Sequence, residues 1–135
     1  MAETIQLEIV TPERLVVNDQ AEYIEIPGKT GYLGVLPSHA PLITELAVGE
    51  ISYRNTGQTK RLAVAWGFAE VLGDKVTILA ETAEKAEEID VSRAQTAKQR
   101  AEAELHKAGS TGNTDAQAAL DRANTRLEVA GKSGG

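Results

Sequence analysis

Between Ile5 and Leu79 the chain repeats short apolar runs of alternating parity, each closed by glycine, proline or a polar turn. Ile5, Leu7 and Ile9 share one side while Gln6 and Glu8 share the other, as a half-buried strand requires. Thr11-Pro12-Glu13-Arg14 breaks that run, and residues 15–18 and 21–26 are the next two predicted strands, the latter ended by Pro27 and Gly28. Extended structure resumes over residues 41–46, then over 49–54 into an Asn55-Thr56-Gly57 turn. Residues 60–66 lead out, Gly67 interrupts, residues 68–72 continue, and Gly73-Asp74 turns the chain into a last strand over 75–79. Many short strands spaced roughly ten residues apart, punctuated by Gly and Pro, indicate a sandwich or flattened barrel with an aliphatic core. Trp66 and Phe68 flank Gly67 and are expected to pack in that interior or at its edge, where aromatics alternating along a strand usually sit.

The period changes between Thr82 and Ile89. Residues 91–108 contain no Gly or Pro, and Val91, Ala94, Ala97, Ala101, Leu105 and Ala108 recur at spacings of three and four, which predicts one helix of about five turns. Asp90 is placed to cap it, its carboxylate accepting free amides of the first turn and opposing the positive end of the helix dipole. Gly109-Ser110-Thr111-Gly112-Asn113 is expected to end the helix as a flexible loop, after which Thr114 or Asp115 can cap a second helix. Ala116, Ala119, Leu120, Ala123, Leu127 and Ala130 form its apolar stripe, and residues 131–135 read as a frayed tail. Two helices joined by a short loop make an antiparallel hairpin. The predicted fold is therefore an amino-terminal antiparallel β-sandwich over residues 1–84 followed by a two-helix hairpin over 85–135. Only Leu105, Leu120 and Leu127 are large among the stripe residues, and alanine buries far less area than leucine at ~25 cal/mol per Å². Such a thin interface lets the helices separate while staying helical, as an arm that folds down or extends must.

Charge sharpens the two-part division. Residues 1–84 carry 6 basic and 12 acidic side chains, and residues 85–135 carry 8 of each, so the whole net charge of −6 lies in the first part. An acidic β-domain has no broad cationic surface for phosphates, which argues against nucleic acid as a partner. All five aromatic residues precede residue 69, leaving the helical part without a bulky core. The chain has no cysteine, so disulfides, thiolate metal sites and a cysteine nucleophile are excluded. Its first residues lack the basic and apolar regions of a signal peptide, and no apolar stretch approaches the roughly 20 residues that span a bilayer. Direct membrane insertion is not expected.

Two sets of residues are candidates for function. The first is Gly31-Tyr32-Leu33-Gly34-Val35-Leu36-Pro37-Ser38-His39-Ala40-Pro41, a segment no regular helix can cross and one expected to be sharply turned. Ser38 beside His39 does not make a nucleophile and base, since adjacency in sequence fixes no hydrogen bond and no acid can be placed behind the imidazole. His106, near a predicted helix end, needs only a surface position there. With two histidines and no cysteine no metal site is expected, and Gly131-Lys132-Ser133 lacks the upstream glycine of a phosphate-binding loop. The second set is Arg93 and Arg100, seven residues apart on one helix face, with Arg122 and Arg126, four apart on the other helix. Folded together, the helices could turn four guanidinium groups towards one anion, which a triphosphate has the charge to offset. The alternative is a solvated, ion-paired face.

The segment from Gly31 to Pro41 resembles the GxxGxxxxHAP signature of the epsilon subunit of F-type ATP synthases, called delta in mitochondria. The Thr11-Pro12-Glu13-Arg14 break, the Gly67-Phe68-Ala69-Glu70-Val71 strand and the alanine-rich hairpin are similar to that family in the same order, with Trp66 standing where the family has glycine. Ile89-Asp90-Val91-Ser92-Arg93-Ala94 matches its IDxxRA nucleotide-binding motif, and Arg122-Ala123-Asn124-Thr125-Arg126-Leu127 its RAxxRL pattern. The resemblance implies a non-catalytic rotor subunit of a proton-translocating ATP synthase, peripheral on the cytoplasmic face of the bacterial plasma membrane. Its sandwich would dock on the gamma subunit and the ring of c subunits, with Gly31, Tyr32, Leu33, Gly34, Pro37, Ser38 and His39 in the rotor contact. The hairpin, extended along gamma towards the alpha and beta subunits, would inhibit ATP hydrolysis. No cofactor is required, and ATP is implied as a regulatory ligand of the compact hairpin through Asp90, Arg93, Arg100, Arg122 and Arg126. A free-standing ATP sensor and an ester hydrolase built on Ser38 and His39 are the readings from other classes.

Overall fold

The computed structural model describes residues 3–107 and 114–132. Among them are eight strands, β1 (Ile5–Val10), β2 (Leu15–Ala21), β3 (Tyr23–Gly28), β4 (Gly31–Val35), β5 (Leu42–Leu46), β6 (Gly49–Asn55), β7 (Gln58–Leu72) and β8 (Lys75–Lys85). A single 3-10 turn, Ala86–Glu88, leads into α1 (Val91–Lys107), and α2 (Thr114–Lys132) follows. The loop expected over 109–113 and the end of the tail lie outside the described residues.

The alternation in β1 is realised, with Ile5, Leu7 and Ile9 buried and Gln6 and Glu8 half-buried. The chain leaves that strand because the Thr11 hydroxyl accepts hydrogen bonds from the amides of Glu13 and Arg14, both at 3.3 Å, a local turn that competes with pairing. Strand order is β2-β1-β8-β7-β5-β3-β4, with β6 pairing β3 and β7. Every ladder is antiparallel except β1 with β8, where Gln6 pairs Lys75 in a parallel register. Ile9, Ile24, Ile26, Ile51, Leu62 and Ile78 are among the aliphatic side chains closed off from solvent in the resulting sandwich core.

The longest strands differ from the sequence expectation. β7 runs unbroken through Gly67, and β8 continues past Leu79 to Lys85 because its partner does. Instead of ending at Gly67, β7 changes neighbour there: Gln58 to Val64 pair with β6, and Gly67 to Val71 pair with β5. Trp66 at φ 52° and Gly67 at φ 120° make the kink. A side chain on Gly67 would run into the backbone carbonyl of Leu79, so the crossing requires glycine. Phe68 is the second departure: it lies on the opposite parity to buried Ala69 and Val71 and is 54% exposed, outside the core where it was expected.

The helices pack as an antiparallel pair, with α2 lying between α1 and strands β6 and β7. Asp90 caps α1 as the sequence indicates, its Oδ1 accepting the Arg93 amide at 3.0 Å. Ala94, Ala101, Ala116 and Ala123 are buried, while Leu105, Leu120 and Leu127, expected as anchors, are only half-buried. The side chain that seats α2 is Val129, fully buried in a small cluster with Ala63, Ala86 and Ile89. Gly131 and Lys132 belong to α2 and not to a frayed tail. The Lys132 ammonium reaches Glu50 at 3.2 Å, tying the last turn to β6.

Candidate functional site

The segment Gly31 to Pro41 divides in two. Gly31, Tyr32, Leu33 and Gly34 are strand β4, paired with β3, rather than part of a turn. Gly34 is small because Tyr23 crosses it, and a Cβ there would lie 2.5 Å from the Tyr23 hydroxyl. Pro37, Ser38 and His39 form the true turn, with Ser38 at φ 68°. The Ser38 amide donates to Asp74 Oδ1 at 3.3 Å, and the Asp74 carbonyl accepts the Gln6 amide at 2.8 Å. This turn therefore rests on the tip of the β7–β8 hairpin, where Leu36 and Leu72 are each 60% exposed. Tyr32 is four residues away from Leu36, ~13 Å along an extended strand, and its hydroxyl accepts the Glu50 amide at 3.0 Å. His39 Nδ1–H donates to the Ala40 carbonyl at 2.6 Å, so a backbone oxygen stands where the Ser38–His39 hydrolase reading needs a carboxylate behind the imidazole.

A second surface was not picked out from sequence. Leu15 on β2 stands opposite Val10 on β1, Val10 opposite Leu79 on β8, and Leu79 opposite Phe68 on β7, so the four side chains share the sheet's outer face. Ile43 on β5 is the diagonal neighbour of Phe68. Leu15, Ile43, Phe68 and Leu79 are all more than half exposed. Parity carries the signal for Ile43, Phe68 and Leu79, each opposite to the core-facing set of its strand, whereas Leu15 shares the parity of buried Val17 and is turned outward by the register shift between Ile9 and Val10. A contiguous exposed apolar band of this kind on one face has the character of an interaction surface.

The arginine candidates are partly brought together. Asp90, Arg93, Arg100 and Arg126 line one open cleft between α1 and the end of β8, together with Arg14, Glu13, Glu81, Glu84 and Glu88. Arg126 is already ion-paired there with Glu84, and Arg14 with Glu88 at 3.0 Å. The hydrogen bond from Arg14 holds the Glu88 carboxyl below the usual carboxylate range, against a smaller upward push from burial. Arg122 stands apart, its guanidinium carbon 5.0 Å from the centroid of the Trp66 ring. The four-arginine cluster expected from helix spacing is thus three arginines facing acidic side chains, with the fourth held by an aromatic. Among the described residues no group of His, Asp or Glu is arranged to hold a metal ion.

The chain is thus a strand sandwich carrying a two-helix hairpin, with an apolar outer face and with Arg14 and Arg126 held in ion pairs. Both parts of the chain match one family's models: residues 4–86 the beta-sandwich domain of the ATP synthase delta/epsilon chain, and residues 87–131 its long alpha-helix domain. The chain belongs to the epsilon-chain family of F-type ATP synthase, whose members are non-catalytic subunits of that complex. It is 69% identical over 109 residues to the ATP synthase epsilon chain of Koribacter versatilis, covering 81% of this chain and 77% of that one. It is 48% identical over 136 residues to the epsilon chain of Geotalea daltonii, covering 99% of each. In the mitochondrial ATP synthase of Euglena gracilis, solved as an OSCP/F1/c-ring assembly, one chain superposes with a TM-score of 0.78 at 24% identity, over 94% of this chain and 81% of that one. That likeness is one of fold. The subunit is a peripheral part of its complex, and no described helix is long and apolar enough to cross a membrane.

Proposed function

We propose that the chain is a central-stalk subunit that couples the rotor ring to the catalytic sector, and that its two exposed surfaces take different partners. The outer-face band of Leu15, Phe68, Leu79 and Ile43 meets the gamma subunit. The turn of Pro37, Ser38 and His39, with Leu36 and Leu72 beside it, meets the ring of c subunits on the cytoplasmic face of the membrane. The observation that carries this reading is the apolar band itself, four large side chains more than half exposed on one sheet face of a chain in this family. Burying an interface core of that kind drives association, and charge placed in it is costly. Phe68→Asp with Leu79→Asp should abolish co-elution with gamma while leaving β-type circular dichroism intact. Co-elution as in the unaltered protein would move the gamma contact elsewhere.

The hairpin is a regulatory arm in this reading. Docked on the sandwich it is inactive; extended along gamma towards alpha and beta it holds back ATP hydrolysis, and ATP in the cleft of Arg93, Arg100 and Arg126 favours the docked form. What supports nucleotide binding is the convergence of those three arginines with Asp90 on one cleft. The Arg126–Glu84 pair opposes it, because a phosphate must compete with that carboxylate. A hydrogen bond to a charged group contributes about 1.5 to 3 kcal/mol, so Arg93→Ala should weaken ATP binding about tenfold or more in calorimetry on the isolated chain. Absence of heat at millimolar ATP would return these arginines to a surface held by internal ion pairs.

A further inference from the structure

Trp66 occupies an unfavourable backbone position for a bulky side chain, at φ 52° and directly before Gly67 at φ 120°. The kink presents the indole to α2, and Arg122 lays its guanidinium over the ring at 5.0 Å, inside the range of about 6 Å for a cation–π contact. Few other groups hold α2 to the sandwich. Val129 supplies a fully buried apolar contact, against Ala63, Ala86 and Ile89. Arg126 pairs with Glu84, and Lys132 pairs with Glu50. Arg122, Arg126 and Val129 follow spacings of four and three, so one face of α2 carries the docking contacts and most of them are cationic. On so thin a face each contact carries a large share of the docking equilibrium.

We propose that Trp66 and Arg122 form a latch, a strained aromatic on β7 that receives a guanidinium from α2 and sets how much of the time the helix pair lies docked. The latch rests on the reading of the hairpin as an arm, and adds to it a determinant independent of any nucleotide. Undocking bares the indole to water. Trp66 is the chain's only tryptophan, so its emission reports the latch directly.

The test is amide hydrogen exchange on the full-length isolated chain, comparing α2 with the core of β8 in the same sample. Arg122→Met keeps an apolar stem without the charge, and Trp66→Leu keeps bulk without the aromatic face. Each should speed α2 exchange about two- to fivefold, the factor a partly exposed cation–π contact supplies, while β8 exchange stays unchanged. The double variant should do no more than either single one, because both remove the same contact. Arg122→Met should also shift the Trp66 emission to longer wavelength. If α2 opens independently of β8 but ignores both substitutions, or if their effects multiply, the latch is overturned and the arm stands. If α2 in the unaltered chain exchanges only together with β8, the arm itself fails and the latch with it.

Discussion

Asp19 gathers more hydrogen bonds than any other carboxylate among the described residues. Its oxygens accept from Asn55 at 2.6 Å, from the Tyr53 hydroxyl at 3.2 Å and from Lys60 at 3.4 Å, joining β2 to β6 and β7. Burial pushes the Asp19 carboxyl up, but the bonds from Asn55, the Gln20 amide, Lys60 and Tyr53 together outweigh it and leave the group below its ordinary 3.8. Burial, with the neighbouring Asp19 charge, pushes the Tyr53 hydroxyl in the opposite direction, so it stays protonated and donates throughout the physiological range. A carboxyl with a depressed pKa in the folded state contributes stability above its unfolded pKa and loses it as pH falls through the folded value. Asp19→Asn should therefore cost about 1 kcal/mol at pH 7 by urea unfolding, with the difference shrinking below about pH 4. A difference independent of pH would mean that packing, not charge, is what Asp19 supplies. Residues of this kind mark the limit of reading from sequence. Asp90 was legible as a cap because its partner is the Arg93 amide three residues on. Asp19 and Arg122 were not, since Asn55, Lys60 and Trp66 come to them only through the register of β6 and β7 and the docking of α2.

At the scale of elements, the stretches expected to be extended fall on β1 to β3 and β5 to β8, with period-2 alternation marking β1 and the start of β8, where one face meets the core. The same rule missed β4, where glycines at Gly31 and Gly34 looked like turn residues but serve a paired strand crossed by Tyr23. It also placed Phe68 inside, since an aromatic next to a kink fits either side until the kink's geometry is known. The helices were legible from their spacing, yet their anchors were not. Counting large side chains pointed to Leu105, Leu120 and Leu127, whereas close approach of the pair is made by alanines and the seat on the sandwich by Val129. That distinction is testable. Complete burial of a valine side chain contributes about 1.5 to 3 kcal/mol, and its neighbours Ala63 and Ala86 are too small to refill the space. Val129→Ala should therefore speed hydrogen exchange of α2 by more than tenfold, while Leu120→Ala, at a half-buried position, should have a much smaller effect. Equal responses would restore the leucines as the anchors.

For the whole molecule, the cost of separating the two parts depends on what α2 leaves uncovered. Removing α1 and α2 bares Ala63, Ala86, Ile89 and the Trp66 ring, two large side chains and two small ones, while the sandwich core of Ile24, Ile26, Ile51, Leu62 and Ile78 is untouched. The position of the cut matters more than its composition. A chain ending at Glu84 loses Lys85, which pairs with Leu62 at the end of β8, and loses Glu88, which binds Arg14 at 3.0 Å and the Lys85 amide at 3.1 Å. A chain ending at Glu88 keeps all of these. Residues 1–88 should thus unfold cooperatively in urea with β-type circular dichroism and, in the proposed role, still bind gamma while failing to restrain hydrolysis. Residues 1–84 should be less stable by about 1 kcal/mol, the sum of one frayed strand end and one exposed ion pair. An unfolded 1–88 fragment would show that the helices are part of the sandwich's own fold, leaving no arm to move.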